Sequence, residues 1–182
     1  MKDRKRNRKL GFDYSTEAIY FLTICSKNRI HYFGKIENNK MILNEYGKIT
    51  DTQIQWLEQQ YPYFILHNYI IMPNHVHILC EISTNQFRTD SSRAVPTTQP
   101  VPTERAVPTE QSAPIRKIKS ISELMGAFKT TSSKKIHLAG NDLFKWQRSF
   151  HDHIVRNDYS YQNIYNYITQ NPEKWVEDTY NK

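Results

Sequence analysis

A chain of 182 residues can bury one ordinary core, but a mean hydropathy of -0.74 means that part of its length is too polar to join one. The formal net charge of +7 points to a polyanionic partner, with nucleic acid first among the candidates. Cys25 and Cys80 both lie inside apolar runs, which argues against a disulfide framework. No stretch has membrane-spanning length, and the basic N-terminus has no apolar segment behind it, so a cytoplasmic protein with no membrane partner is expected.

The charge is clustered. Lys2, Arg4, Lys5, Arg6, Arg8 and Lys9 crowd the first ten residues, and Arg116, Lys117, Lys119, Lys129, Lys134 and Lys135 form a second group. Either cluster also suits a solubilising tail or a solvated helix face. The aromatic content of 13% suits base stacking and a small packed core equally well.

In chain order, Ala18 to Cys25 is β-branched and aromatic and predicts a buried strand, and Gly34 to Asn44 predicts a short hairpin turning at Asn38-Asn39. Ile49, Ile54 and Leu57, with Trp56 beside them, predict an amphipathic helix over 46–60 that stops before Pro62. Tyr63 to Met72 and His75 to Ile82 predict two strands joined by a tight turn at Pro73-Asn74. From Thr84 to Pro114 the composition shifts to Ser, Thr, Gln, Pro and Arg, and Arg93-Ala-Val-Pro-Thr97 recurs as Arg105-Ala-Val-Pro-Thr109. So few apolar side chains cannot offset ordering entropy, and residues 84–118 are expected to be a low-complexity insertion.

Helical spacing resumes at Ser120 with Ile121, Leu124, Met125 and Phe128, on a helix that turns basic at Lys134-Lys135. Leu143 to Val155 predicts one or two short strands, and Asp158 to Gln170 a third helix with an acidic N-cap. A two-residue turn between strands requires antiparallel pairing, so this order favours an α+β antiparallel sheet over a doubly wound parallel one.

His75-Val76-His77 opens a strand, which puts both imidazoles on one face with α-carbons roughly 6–7 Å apart. Val76 then points to the apolar core while the histidines face outward. The pair could share one cation, although two histidines make an incomplete site and also fit two hydrogen-bonded core residues. In the third helix Tyr161, Ile164, Tyr165 and Ile168 form the expected core stripe. Tyr167 lies about 120° from the centre of that stripe, at ~100° per residue, and is the tyrosine least explained by packing. Asn171, four positions on, carries an amide oxygen able to ligate a hard cation, although Pro172 should end the helix there. An ordinary exposed helix tyrosine has the same spacing. His151-Asp152-His153 repeats the histidine spacing around a charged residue, which suits a fold or DNA-contact role better than a metal.

Three separated strings, Met72-Pro-Asn-His-Val-His-Ile-Leu79, Trp146-Gln-Arg-Ser-Phe-His-Asp-His-Ile-Val-Arg-Asn157 and Tyr167-Ile-Thr-Gln-Asn-Pro-Glu-Lys-Trp175, resemble the HUH single-tyrosine transposases. Among them, the REP-associated tyrosine transposase branch of the insertion-sequence-200-like family is the most similar. The resemblance spans nearly the whole chain except the basic N-terminus and the insertion. It implies a ferredoxin-like, RRM-like sheet with helices packed on it and a C-terminal helix carrying the tyrosine. It divides the chain into a basic tail (1–13), one transposase domain (14–83 and 119–178), the insertion (84–118) and a short tail (179–182). It further implies Tyr167 as nucleophile, and His75, His77 and Asn171 as ligands of Mg²⁺ or Mn²⁺. The partner would be single-stranded hairpin DNA, cut through a 5′-phosphotyrosine intermediate and rejoined by a monomer or homodimer. Lys129, Lys134, Lys135, Arg148 and Arg156 are expected to track phosphates. The long insertion departs from the family pattern and leaves DNA contacts there open.

Three other functions fit less of the sequence. A hairpin-binding relative without chemistry would not need intact His75, His77, Tyr167 and Asn171, and a histidine-triad nucleotide hydrolase would need a histidine where Leu79 stands. An RNA-binding module would leave the histidine pair incidental.

Overall fold

Alternation along the strands decides the architecture. In the computed structural model, which describes residues 17–83 and 118–181, β1 (Ala18–Cys25) pairs antiparallel with both β5 (His75–Ile82) and β6 (His151–Val155). β5 in turn pairs antiparallel with β4 (Phe64–Ile71), which gives the sheet order β4-β5-β1-β6. The helices α1 (Glu45–Gln60) and α2 (Ile121–Leu138) connect β1 to β4 and β5 to β6, each crossover skipping one strand. This is the split β-α-β arrangement of the ferredoxin-like fold, as expected. A third helix, α3 (Asp158–Gln170), follows β6 and packs against β4 and β5. The basic N-terminus, the repeated Ala-Val-Pro-Thr words and nearly all of the 84–118 insertion lie outside the described residues.

Tyr20, Leu22 and Ile24 of β1 and Val76, Ile78, Cys80 and Ile82 of β5 point to one face of the sheet. There they pack against Ile54 and Leu57 of α1 and Ile121, Leu124, Met125, Phe128 and Ile136 of α2. Ser120 starts α2 with a capping box, its hydroxyl accepting from the Glu123 amide while the Glu123 carboxylate accepts from the Ser120 amide. On the other face Leu79, Val155 and Ile168 form a much smaller cluster beneath α3.

The expected hairpin is β2 (Gly34–Glu37) and β3 (Lys40–Leu43), with Asn38 and Asn39 both in the left-handed region that a tight hairpin turn demands. Three local expectations are corrected. The N-cap of α3 is Asn157, whose side chain accepts from the Ser160 amide, and Asp158 lies inside the first turn. Over 143–155 only the last five residues form a strand, and Trp146 makes an isolated bridge to Ser26. Tyr165, placed on the core stripe, is exposed. Among the described residues no helix is long and apolar enough to cross a membrane.

Candidate active site

His75 and His77 were expected to face outward; they are 0% and 1% exposed. Sequence alternation puts them on the face opposite the main core, as anticipated, but that face is itself covered. Trp175 and Tyr180 stack over His75 with ring centroids 6.0 and 4.7 Å away, and Phe21 stacks on His77 at 5.3 Å. Trp175 belongs to the 3₁₀ segment Asn171–Glu177 that follows α3, Tyr180 lies just beyond that segment, and Phe21 is on β1.

The two imidazoles meet through Nε2 atoms 3.1 Å apart. Their tautomers follow from the neighbours. The Asn74 amide nitrogen donates to the carbonyls of Arg29 and Tyr180 at 3.1 and 2.8 Å, which turns its oxygen toward His75 Nδ1 at 2.8 Å. Nδ1 of His75 therefore carries the proton and Nε2 presents its lone pair to the site. His77 Nδ1 meets Thr23 Oγ1 at 2.9 Å, which leaves its Nε2 to face the same point.

Burial keeps both rings neutral. It is the main reason that His75 lies well below the ordinary imidazole range, helped by His77, Arg29 and His31, and burial alone pushes His77 down to about 3. Two neutral, desolvated imidazoles with converging lone pairs are suited to a divalent cation.

Tyr167 brings its hydroxyl to within 3.2 Å of His77 Nε2 and its ring edge-on to Phe21. As its helical position suggested, it stands apart from the buried stripe, with 38% of its surface exposed. Burial of the phenol raises its pKa, and the Asp178 carboxylate adds to this, whereas a hydrogen bond from Asn171 works the other way. Asn171 is 1% exposed, and its Oδ1 has no hydrogen-bond partner among the described residues. A buried acceptor left unpaired is costly, and a cation would satisfy it. The sequence-predicted set of His75, His77, Asn171 and Tyr167 is thus brought together.

Two residues of the C-terminal segment were missed. The Asp178 carboxylate lies with the His75 and His77 nitrogens in one group whose ligand atoms are all within 4.8 Å of one another, a set that could hold a metal ion. Tyr180 contributes its ring and bonds Thr23 through its hydroxyl. Both sit in or just before the expected tail, where no periodic pattern marks them. Asn74 also went unnoticed as more than a turn residue.

The basic residues scatter differently. Lys134 and Lys135 are exposed on α2, which covers the opposite face of the sheet. The Lys129 ammonium donates to the carbonyls of Gln147, Arg148 and Ser149 and so clamps that loop. Arg148 and Arg156 are exposed on either side of β6, and His151 and His153 lie on the sheet face of His77 but open to solvent.

No protein-family model matches the sequence. A solved REP-associated tyrosine transposase bound to a REP hairpin superposes with TM-score 0.54 at 16% identity, covering 92% of this chain and 74% of that one. A crystal structure of a candidate transposase from Deinococcus radiodurans gives TM-score 0.46 at 15% identity, over 89% of this chain and 95% of that one. An uncharacterized protein of Haemophilus influenzae is 32% identical over 176 residues, which are 96% of this chain and 91% of that protein. The chain thus has the fold of a tyrosine transposase and belongs to one family with the Haemophilus influenzae protein.

Proposed function

We propose that this protein is a single-strand DNA transposase, cutting and rejoining DNA beside a hairpin with Tyr167 as the nucleophile. The observation that carries this is the Tyr167 hydroxyl, held 3.2 Å from one of two neutral histidines whose nitrogens converge at 3.1 Å. The solved transposase with this fold is bound to a REP hairpin, which supports hairpin DNA as the substrate class.

In the reaction, Tyr167 Oη bonds to phosphorus and the P–O3′ bond breaks, leaving a 5′-phosphotyrosine and a free 3′-hydroxyl. The proton lost by the phenol matches the one gained by the 3′-oxygen. The product is again a phosphodiester, so a 3′-hydroxyl can reverse the step and reseal a strand without an energy source. The Asn171 amide donates to the Tyr167 oxygen and so helps orient it; the His77 Nε2 lone pair, which here accepts the phenolic hydrogen, is the one a bound cation would take. Phe21 fixes the tyrosine ring from its edge.

His75, His77 and the orphaned oxygen of Asn171 fit a divalent cation, with Asp178 as a further carboxylate donor. Bound there, Mg²⁺ or Mn²⁺ would offset the charge of the phosphate that otherwise repels a nucleophile.

The test is incubation of the protein with Mn²⁺ and end-labelled single-stranded hairpins from the DNA flanking its own gene. A protein–DNA band that survives SDS, and that is lost with EDTA and in Tyr167→Phe, supports the proposal. Tight hairpin binding with no such band on any substrate would instead identify a non-catalytic hairpin-binding relative.

A further inference from the structure

The turn at Lys27–Arg29 and the loop 145–149 face each other across an open cleft of about 610 Å³. Lys27, Arg29, Lys145 and Arg148 line it, together with Asn28, Gln147 and Ser149, and no acidic residue does. Among the described residues none of the four cations is ion-paired with a carboxylate. Four like charges facing one space repel one another and carry unmet capacity for anions.

The walls are fixed. The Lys27 amide donates to the Lys145 carbonyl and the Gln147 amide to the Cys25 carbonyl, both at 2.8 Å, so the loop extends the end of β1. Lys129 holds the carbonyls of the same loop from behind. Asn28 and Arg29 are consecutive non-glycine residues in the left-handed region, with φ of 58° and 55°. Such a pair persists only where surroundings enforce it, and it gathers at functional sites. Here the Ser26 hydroxyl bonds the Ile30 carbonyl and Asn74 bonds the Arg29 carbonyl. Asn74 is also the residue that orients His75, so one amide ties the cleft to the site. The Arg29 guanidinium lies 5.2 Å over the Tyr180 ring, which stacks on His75. Cys25 pairs with His75 across the sheet, placing the cleft at the end of the sheet where the histidine strand begins.

We infer that this cleft binds backbone phosphates of the single-stranded DNA segment that leads to Tyr167, with Lys27, Lys145 and Arg148 as the phosphate contacts. This rests on the transposase reading, and its readout is non-covalent binding, which needs no chemistry. The full-length triple variant Lys27→Gln/Lys145→Gln/Arg148→Gln is compared with wild type by fluorescence anisotropy on a labelled oligothymidine across a range of KCl concentrations. Lys35→Gln/Lys40→Gln/Lys48→Gln removes the same charge from exposed positions outside the cleft and serves as control. Arg29 is left intact because it touches the site, and the three changed side chains are exposed, so an unchanged melting temperature is expected.

Loss of three phosphate contacts should weaken binding about tenfold or more at low salt and lower the slope of log K against log salt by about 2. The control variant should stay close to wild type in both. Wild-type affinity and slope in the triple variant would overturn the cleft, and SDS-stable adduct formation would then still stand on its own. The reverse result, weakened binding in the triple variant with no adduct from wild type, would uphold the cleft and sink the tyrosine reaction. Equal losses in the triple and control variants would reduce the effect to net charge and overturn the assignment, as would a wild type that binds RNA of the same length but not DNA.

Discussion

Where α1 and α2 cover the sheet, buried side chains from five elements interlock into one continuous apolar core; where α3 covers it, the buried apolar cluster is only Leu79, Val155 and Ile168, and polar contacts do the rest. α3 is held by Asn68, whose amide donates to the Tyr165 carbonyl and Thr169 hydroxyl, and by His67, which bridges Tyr161 and Glu81. A bulge in β4 at His67 turns these side chains toward the helix. The first face stores the stability of the fold; the second gives up apolar contact so that neutral histidines, an unpaired amide oxygen and a half-exposed tyrosine can sit together. A helix attached this way should open more readily than the main core.

The largest expected effect separates chemistry from stability. Tyr167→Phe should abolish SDS-stable adduct while lowering stability in urea unfolding by only about 1 kcal/mol, the typical worth of the hydroxyl's hydrogen bonds. On the opposite face Phe128→Ala should cost about 3–5 kcal/mol in urea unfolding, since its ring is wholly enclosed. A Tyr167→Phe protein that unfolds as easily as Phe128→Ala would erase the distinction between the faces.

Next is the residue that fixes the histidine tautomer. Asn74→Ala should weaken Mn²⁺ binding, followed by calorimetry, about 10–100-fold, and Asn74→Asp should recover most of it by restoring the acceptor. Equal loss in both would mean that Asn74 acts only through the turn.

The pH response is smaller and has a definite sign. Both histidines titrate lower in the folded chain than the 6.5 of a free imidazole. Below about 6.5 the unfolded chain therefore binds more protons, so their contribution to stability is complete above that pH and is lost as pH falls toward the folded values. In EDTA the loss should approach about 1.4 kcal/mol per pH unit for each histidine, read from urea midpoints between pH 7 and 5. His75→Gln/His77→Gln should flatten the slope; an unchanged slope would place the titration elsewhere.

Much of this division is visible in the residues. The Asn38-Asn39 turn, the start of α2 at Ser120 and the alternation of His75, Val76 and His77 in β5 all act within a few residues, and each was legible. Tyr167 was legible too, as the tyrosine off the apolar stripe. Burial of the histidines was not, because alternation tells which residues share a face and not whether another layer covers it. Leu79, two positions beyond His77 on that same face, was the available signal. Asp178 and Tyr180 were invisible for a different reason. They reach the site because the 3₁₀ segment after Pro172 folds back over His75, and nothing periodic encodes that return.

Two tyrosines lie against the histidine pair, so the most direct measurement is to digest the Mn²⁺-dependent DNA adduct with trypsin and locate the nucleotide by mass spectrometry. Cleavage after Arg156 and Lys174 puts Tyr167 and Tyr180 on different peptides, 157–174 and 175–182. The nucleotide is expected on Tyr167; finding it on Tyr180, or on neither, would contradict the assignment of α3 as the catalytic helix.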